Sequence, residues 1–170
     1  MPATPVPPID PDYDAHDPRQ RDELHAGGWR LLAAISAGGV IGSLARYGIA
    51  TAFPHPADGI ALATLAINVS GCLLIGILMV FVTDLWPLAR WLRPLLGVGV
   101  LGGYTTFSTY VVDIQQAVAA GAAGMALGYL AATLIGALTA VWLGTALGRR
   151  IVGAIRPAGA LSGVAEDEAR

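Results

Sequence analysis

The sequence predicts an all-α integral membrane protein with four transmembrane helices, the third of them broken. Three observations lead there. Of 170 residues, 55% are hydrophobic and 13% charged, whereas an average soluble domain carries about 25% charged residues. The apolar residues fall in long runs, each sufficient for the ~20 residues that cross a bilayer. The third run contains Gly97-Val-Gly-Val-Leu-Gly-Gly-Tyr-Thr-Thr-Phe-Ser-Thr-Tyr110, which resists a regular helix. Gly102 and Gly103 raise the cost of helical order. Thr105, Thr106 and Thr109 lose rotamers in a helix, and their hydroxyls compete for backbone partners. Unwound backbone is tolerated at membrane depth only where protein or an aqueous cavity surrounds it. A break at Gly102–Thr106 is therefore a candidate ion site, since freed carbonyls suit a cation and a half-helix N-terminus suits an anion.

Residues 1–28 form a polar arm with Pro2, Pro5, Pro7, Pro8, Pro11 and Pro18 among six acidic residues. Proline and like charge predict disorder there. His16 and His25 read as part of a solvated tail rather than a metal site. No basic end leads into a short apolar core with a cleavage site, so the arm is not a secretory signal.

The first span runs from Trp29 to Phe53. Gly38 and Gly42 are spaced for close helix packing, and Gly39 and Ser43 repeat the spacing one position on. Arg46 admits two readings: a side chain snorkelling to the interface, or a positive vestibule that attracts anions. Pro54-His-Pro-Ala-Asp-Gly59 is a turn, with His55 read as a loop residue rather than a ligand.

The second span runs from Ile60 to Val82. Asn68 in its middle is either glue to a neighbouring helix or a pore-lining donor. Cys72, the only cysteine, excludes an intrachain disulfide and reads as a small buried filler. The loop Asp84–Arg93 holds an interfacial mixture of Trp, Pro and Arg.

The third span runs from Leu92 to Val112. Asp113, Gln115 and Gln116 then form a tight polar connection. The fourth, from Ala117 to Leu147, exceeds the length of a crossing, so tilt or extension absorbs the excess. Residues 151–170 read as a disordered tail.

Four crossings put both termini on one side. All ten basic residues are arginine. Arg46 alone falls on the face opposite the termini, so the positive-inside rule predicts cytoplasmic termini. The absence of lysine excludes a Walker-type phosphate loop and a Schiff base. A net charge of −2 implies no nucleic-acid partner. No acid or histidine falls in the middle of a span, which disfavours a proton-coupled multidrug-type exchanger. Ser70 and Ser108 lack a base, which disfavours an intramembrane protease. A neutral lining of hydroxyls, amide and aromatics suits a pore; a non-transporting membrane scaffold is the remaining alternative. Phe107 and Tyr110 lie three apart, on one helical face. Aromatic rings have a positive edge that can meet a small anion.

Three motifs carry a family resemblance. Gly38-Gly-Val-Ile-Gly-Ser-Leu-Ala-Arg-Tyr47, Thr64-Leu-Ala-Ile-Asn-Val-Ser-Gly71 and Gly102-Gly-Tyr-Thr-Thr-Phe-Ser-Thr-Tyr110 resemble, in this order, the signatures of the small bacterial fluoride channels (the Fluc, or CrcB-like, family). The resemblance covers Ala37 to Leu147. It implies a passive fluoride channel, not an enzyme, in the bacterial inner membrane. It further implies an antiparallel dual-topology dimer with two pores and a structural sodium ion at its centre. By resemblance, the carbonyls of Gly102 and Thr105 hold the sodium. Asn68 and Phe107 line the pore, with Ser108 and Thr109 beside it. Arg46 matches a vestibule arginine, and Tyr129 and Thr133 lie where the fourth helix contributes a tyrosine and a hydroxyl track. Tyr110 departs from the family's usual phenylalanine. The arginine bias adds one expectation: the partner is this chain itself or a homologous chain of opposite topology.

Overall fold

The computed structural model describes residues 18–56, 59–85 and 91–155, with side chains from 28 onward. Its elements are α1 (Pro18–Ala52), α2 (Leu62–Asp84), a π-helical segment (Arg93–Leu101) running into a short α3 (Gly102–Tyr104), α4 (Ser108–Ala119) and α5 (Ala123–Ile155). Four stretches are long and apolar enough to cross a membrane: Gly28–Ala52, Leu62–Asp84, Arg93–Ala119 and Ala123–Ile155. Together they make a four-helix, multi-pass membrane protein.

Two packed pairs build the bundle. In the first, α1 lies against the π-helical segment and α3. Backbone meets backbone along the Gly38/Gly42 face: a Cβ at Gly38 would sit 2.9 Å from the Val100 nitrogen, and one at Gly42 would collide with the Val100 carbonyl. Gly103 backs onto Gly39 in the same way. In the second pair α2 lies against α5, where Gly76 faces Val141 and Thr145 and Gly144 faces the Leu73 carbonyl. Small residues thus set both contacts, as expected where lipid removes any hydrophobic drive between helices. Most large apolar side chains point outward, including Leu44, Leu127, Ile135 and Trp142. That surface suits acyl chains or another membrane helix, not water.

Several boundaries differ from those expected. α1 begins at Pro18, so residues 18–28 are helical rather than part of a disordered arm; residues 1–17 lie outside the description. Pro18 stands at the first helical position, where its missing N–H is harmless and its φ is already suitable. Arg, Gln, Glu and Leu then favour helix. At the other end α5 continues to Ile155, and residues 156–170 lie outside the description.

The polar connection expected at Asp113–Gln116 is also helical, because α4 runs to Ala119. The chain turns instead at Gly121, whose φ is +79°. The Ala122 N–H reaches the Ala117 carbonyl at 2.9 Å and the Gly121 N–H the Val118 carbonyl at 3.0 Å. That is a Schellman ending, which requires a left-handed residue and so favours glycine.

Candidate functional site

The third span supplies the site. Gly102 retains helical torsions (φ −64°, ψ −37°). Thr105 is extended (φ −77°, ψ 160°), and α-helix resumes at Ser108. The break expected at Gly102–Thr106 is therefore confined to its second half: Gly102 and Gly103 stay helical, Gly103 packed against the Gly39 backbone, and the non-helical step is Thr105–Phe107.

Such a step strands backbone groups that helix would have satisfied, and specific side chains take them up. Asn68 clamps Thr106 from both sides: its Nδ2 donates to the Thr106 carbonyl at 2.8 Å, and its Oδ1 accepts the Thr106 N–H at 2.9 Å. The Thr105 N–H and hydroxyl both donate to the Leu101 carbonyl at 3.0 Å. Arg46 Nε donates to the Gly103 carbonyl at 3.1 Å, with the Ser43 hydroxyl 3.4 Å from the same oxygen. The Thr106 hydroxyl accepts the Thr109 N–H at 3.2 Å and donates to the Thr109 hydroxyl at 3.0 Å, opening α4. Ser108 is exposed, with its hydroxyl 3.4 Å from that of Thr106. Among the described residues, protein donors reach the carbonyls of Leu101, Gly103 and Thr106, and none reaches those of Gly102 and Thr105.

Beside the step lies an apolar groove of about 820 Å³, lined by Asn68, Gly102, Thr105, Thr106, Phe107, Tyr110 and Thr133 among others. Cys72 lines it too and is only partly buried, so it is not the fully buried filler expected. Phe107 is 76% exposed at the groove. Its ring stands 5.9 Å from that of Tyr110, inclined by 50°. Tyr110 in turn stands 5.4 Å from Tyr129, again at 50°, so three aromatics form a tilted row. The Tyr110 hydroxyl lies 3.4 Å from the Leu130 carbonyl, which gives the phenol a polar anchor on α5.

The sequence-predicted residues therefore divide. Asn68, Gly102, Thr105, Phe107, Tyr110 and Thr133 meet at the groove. Arg46 and Thr109 support the backbone around it. Tyr129 is buried behind Tyr110. The Thr133 hydroxyl donates to the Tyr129 carbonyl at 2.8 Å, so its proton is held by its own helix.

Sequence reasoning missed two contacts. The Ser70 hydroxyl meets the Tyr104 hydroxyl at 2.9 Å, tying α2 to the end of α3. Asp113, inside α4 rather than in a connection, lies 3.6 Å from His55 Nε2 and 3.4 Å from the Tyr129 hydroxyl. A signal for Asp113 was present: Phe107, Tyr110 and Asp113 recur every three residues, the spacing of one helical face.

A four-helix membrane protein whose aromatic groove lies at a non-helical step, held by an amide, hydroxyls and one guanidinium, defines a class with a polar and aromatic site inside its spans. Comparison narrows the class. The family described as "CrcB-like protein, Camphor Resistance (CrcB)" matches residues 33–145. The chain is 51% identical over 126 residues to "Fluoride-specific ion channel FluC 2" of Nocardia farcinica, covering 74% of this chain and 90% of that one. It is 45% identical over 129 residues to "Fluoride-specific ion channel FluC 1" of Streptomyces coelicolor, covering 74% and 84%. Over 114 residues it is 52% identical to "Fluoride-specific ion channel FluC 2" of Thermobifida fusca, covering 66% and 84%. The chain belongs to the CrcB-like family.

Proposed function

We propose that this protein is a fluoride-selective passive channel that exports cytoplasmic fluoride and so lowers its toxicity. The observation that carries the reading is its similarity to relatives named fluoride-specific ion channels, along most of their length. The site is chemically suited to the task. Ring edges at Phe107 and Tyr110 offer positive electrostatic potential to a small anion without a full charge. The second N–H of Asn68 is available to donate to it. Fluoride enters acidified cells as the neutral acid and dissociates inside. A negative interior then drives the anion out, since one charge crossing 100 mV releases about 2.3 kcal/mol. Asp113 weakens the argument from acid-free spans against a multidrug-type exchanger. The named relatives disfavour that exchanger, and the scaffold, more strongly.

The carbonyls of Gly102 and Thr105 fit a structural sodium ion at a dimer centre. Both are neutral hard oxygens, and among the described residues neither receives a protein donor. Two such carbonyls from each of two chains would make a four-oxygen cage. The ion would supply fixed positive charge that holds two interrupted helices together. The apolar outer surface suits an antiparallel partner, either this chain or a homologue, in a bacterial inner membrane. Nine of ten arginines on the termini side favour cytoplasmic termini.

The test is growth. Bacteria lacking fluoride export, given this chain alone or together with a homologue of opposite arginine bias, should grow at fluoride concentrations that stop the parent strain. No rescue in either case, with the protein present in the membrane, would sink the reading. Rescue only on co-expression would identify a heterodimer. With Cys72 replaced by alanine, a single cysteine introduced at His55, labelled in intact cells far more than one in the arm, would establish the predicted orientation, whereas equal labelling would show dual topology.

A further inference from the structure

The residues of α2 that meet the non-helical step do so as a block. Within Asn68-Val-Ser-Gly71, three residues each meet one of the consecutive residues Tyr104, Thr105 and Thr106. Asn68 holds both backbone groups of Thr106. Gly71 leaves room for the Thr105 methyl, which a Cβ there would overlap. The Ser70 hydroxyl meets the Tyr104 hydroxyl at 2.9 Å.

The direction of that last bond is fixed. A serine hydroxyl has one proton, and that of Ser70 goes to the Ile67 carbonyl of its own helix at 3.1 Å. The Tyr104 phenol is therefore the donor and Ser70 Oγ the acceptor. Both groups are part-buried within apolar spans, where a hydroxyl without a partner is costly. The bond thus ties the end of α3 to one place on α2.

Tyr104 is the last residue of α3, and Thr105 after it is extended. The Thr105 residue lies between two anchors, with Tyr104 tied to Ser70 before it and Thr106 tied to Asn68 after it. Peptide units are planar and turn only through φ and ψ, so two anchors this close leave the Thr105 torsions little freedom. The Thr105 hydroxyl is held as well, donating to the Leu101 carbonyl at 3.0 Å. The Thr105 carbonyl itself receives no protein donor among the described residues, so its direction is left to these anchors.

We propose that Ser70 and Tyr104 are positioning residues for the cation: their bond sets the torsion at Thr105 and so aims its carbonyl at the ion. Neither side chain touches the ion or fluoride in this role. The inference rests on the sodium reading given above. A ligand oxygen that is not held in place binds more weakly, because it must be ordered at the moment of binding.

The experiment is equilibrium dialysis of the full-length chain in detergent against radioactive sodium chloride, with N-methylglucamine chloride keeping ionic strength constant. Its readout is the sodium concentration at half-saturation. Tyr104→Phe and Ser70→Ala should each raise it about fivefold or more, the loss expected for one hydrogen bond. The double variant should bind no worse than Tyr104→Phe alone, since the two groups make a single bond. Ser70→Thr, which keeps the hydroxyl, should bind like the parent. Val80→Ala is the control for general destabilisation: Val80 is buried beside Gly148, where α2 meets α5. It should melt earlier with a parental half-saturation. Parental half-saturation in Tyr104→Phe and Ser70→Ala, an additive double variant, or an equal shift in Val80→Ala would each overturn the proposal. Failure of both single variants to assemble would overturn it too, since the bond would then hold the fold rather than aim a carbonyl. If the parent binds no sodium, the sodium reading itself falls, and this inference with it.

Discussion

Gly42→Val should give no assembled protein. A Cβ at Gly42 would overlap the Val100 carbonyl and lie 2.7 Å from the Tyr104 nitrogen. Both obstacles are backbone, so no rotamer change relieves them. Overpacking a close contact costs about 1–3 kcal/mol when side chains can adjust, and more when they cannot. Only moving α1 away from the third span would make room. That movement would also release Arg46 and Ser43 from the Gly103 carbonyl, so the end of α3 would lose its support. The control is Gly48→Ala on the same helix, where an added Cβ meets nothing within 4 Å. It should purify like the parent, since alanine favours helix by roughly 1 kcal/mol. The readout is the yield of a monodisperse peak in detergent. A normal peak for Gly42→Val would mean that α1 and the third span do not pack as described.

Asn68→Leu should be the most damaging change at the groove itself. It removes both partners of Thr106 at once, the donor to its carbonyl and the acceptor of its N–H. A fully buried backbone group left unsatisfied costs about 1–3 kcal/mol; Thr106 is part-buried, so the pair amounts to roughly 2 kcal/mol, the low end of that range for two groups. The melting temperature in detergent should drop clearly and fluoride flux should vanish. Asn68→Asp should fall between, because a carboxylate still accepts the Thr106 N–H but turns a charge toward the Thr106 carbonyl. An Asn68→Leu protein that melts like the parent would show that the amide does not hold the step in place.

This clamp also separates what could be read in the chain from what could not. The four crossings are legible because apolar runs of that length have few other uses. The packing faces are legible too, since Gly38 and Gly42 recur at helical spacing and meet Val100 and Tyr104. The nature of the third span's interruption is less so. Glycine propensity points to Gly102 and Gly103, but tertiary contact holds Gly103 helical against Gly39 and moves the extended residue to Thr105. Propensity is local and loses to packing of this kind. Asn68 is recognisable as an amide in a membrane helix, with two open roles. Which groups it bonds is fixed by how α2 meets the third span, and no local pattern encodes that. Asp113 and His55 were the hardest. Each looks like a residue at the end of a span, and only the approach of the α1–α2 loop to α4 brings them together. Tyr110 is similar: its hydroxyl has meaning only once Leu130 is placed beside it.

The central claim is tested most directly by anion efflux from liposomes containing the purified chain, measured in parallel with fluoride and chloride electrodes under the same driving force. A groove of ring edges and neutral donors, with no fixed positive charge of its own, should pass fluoride rapidly and leave chloride trapped. Equal release of both anions would contradict selectivity; silence at both electrodes, from protein that is folded and correctly sized, would contradict the channel.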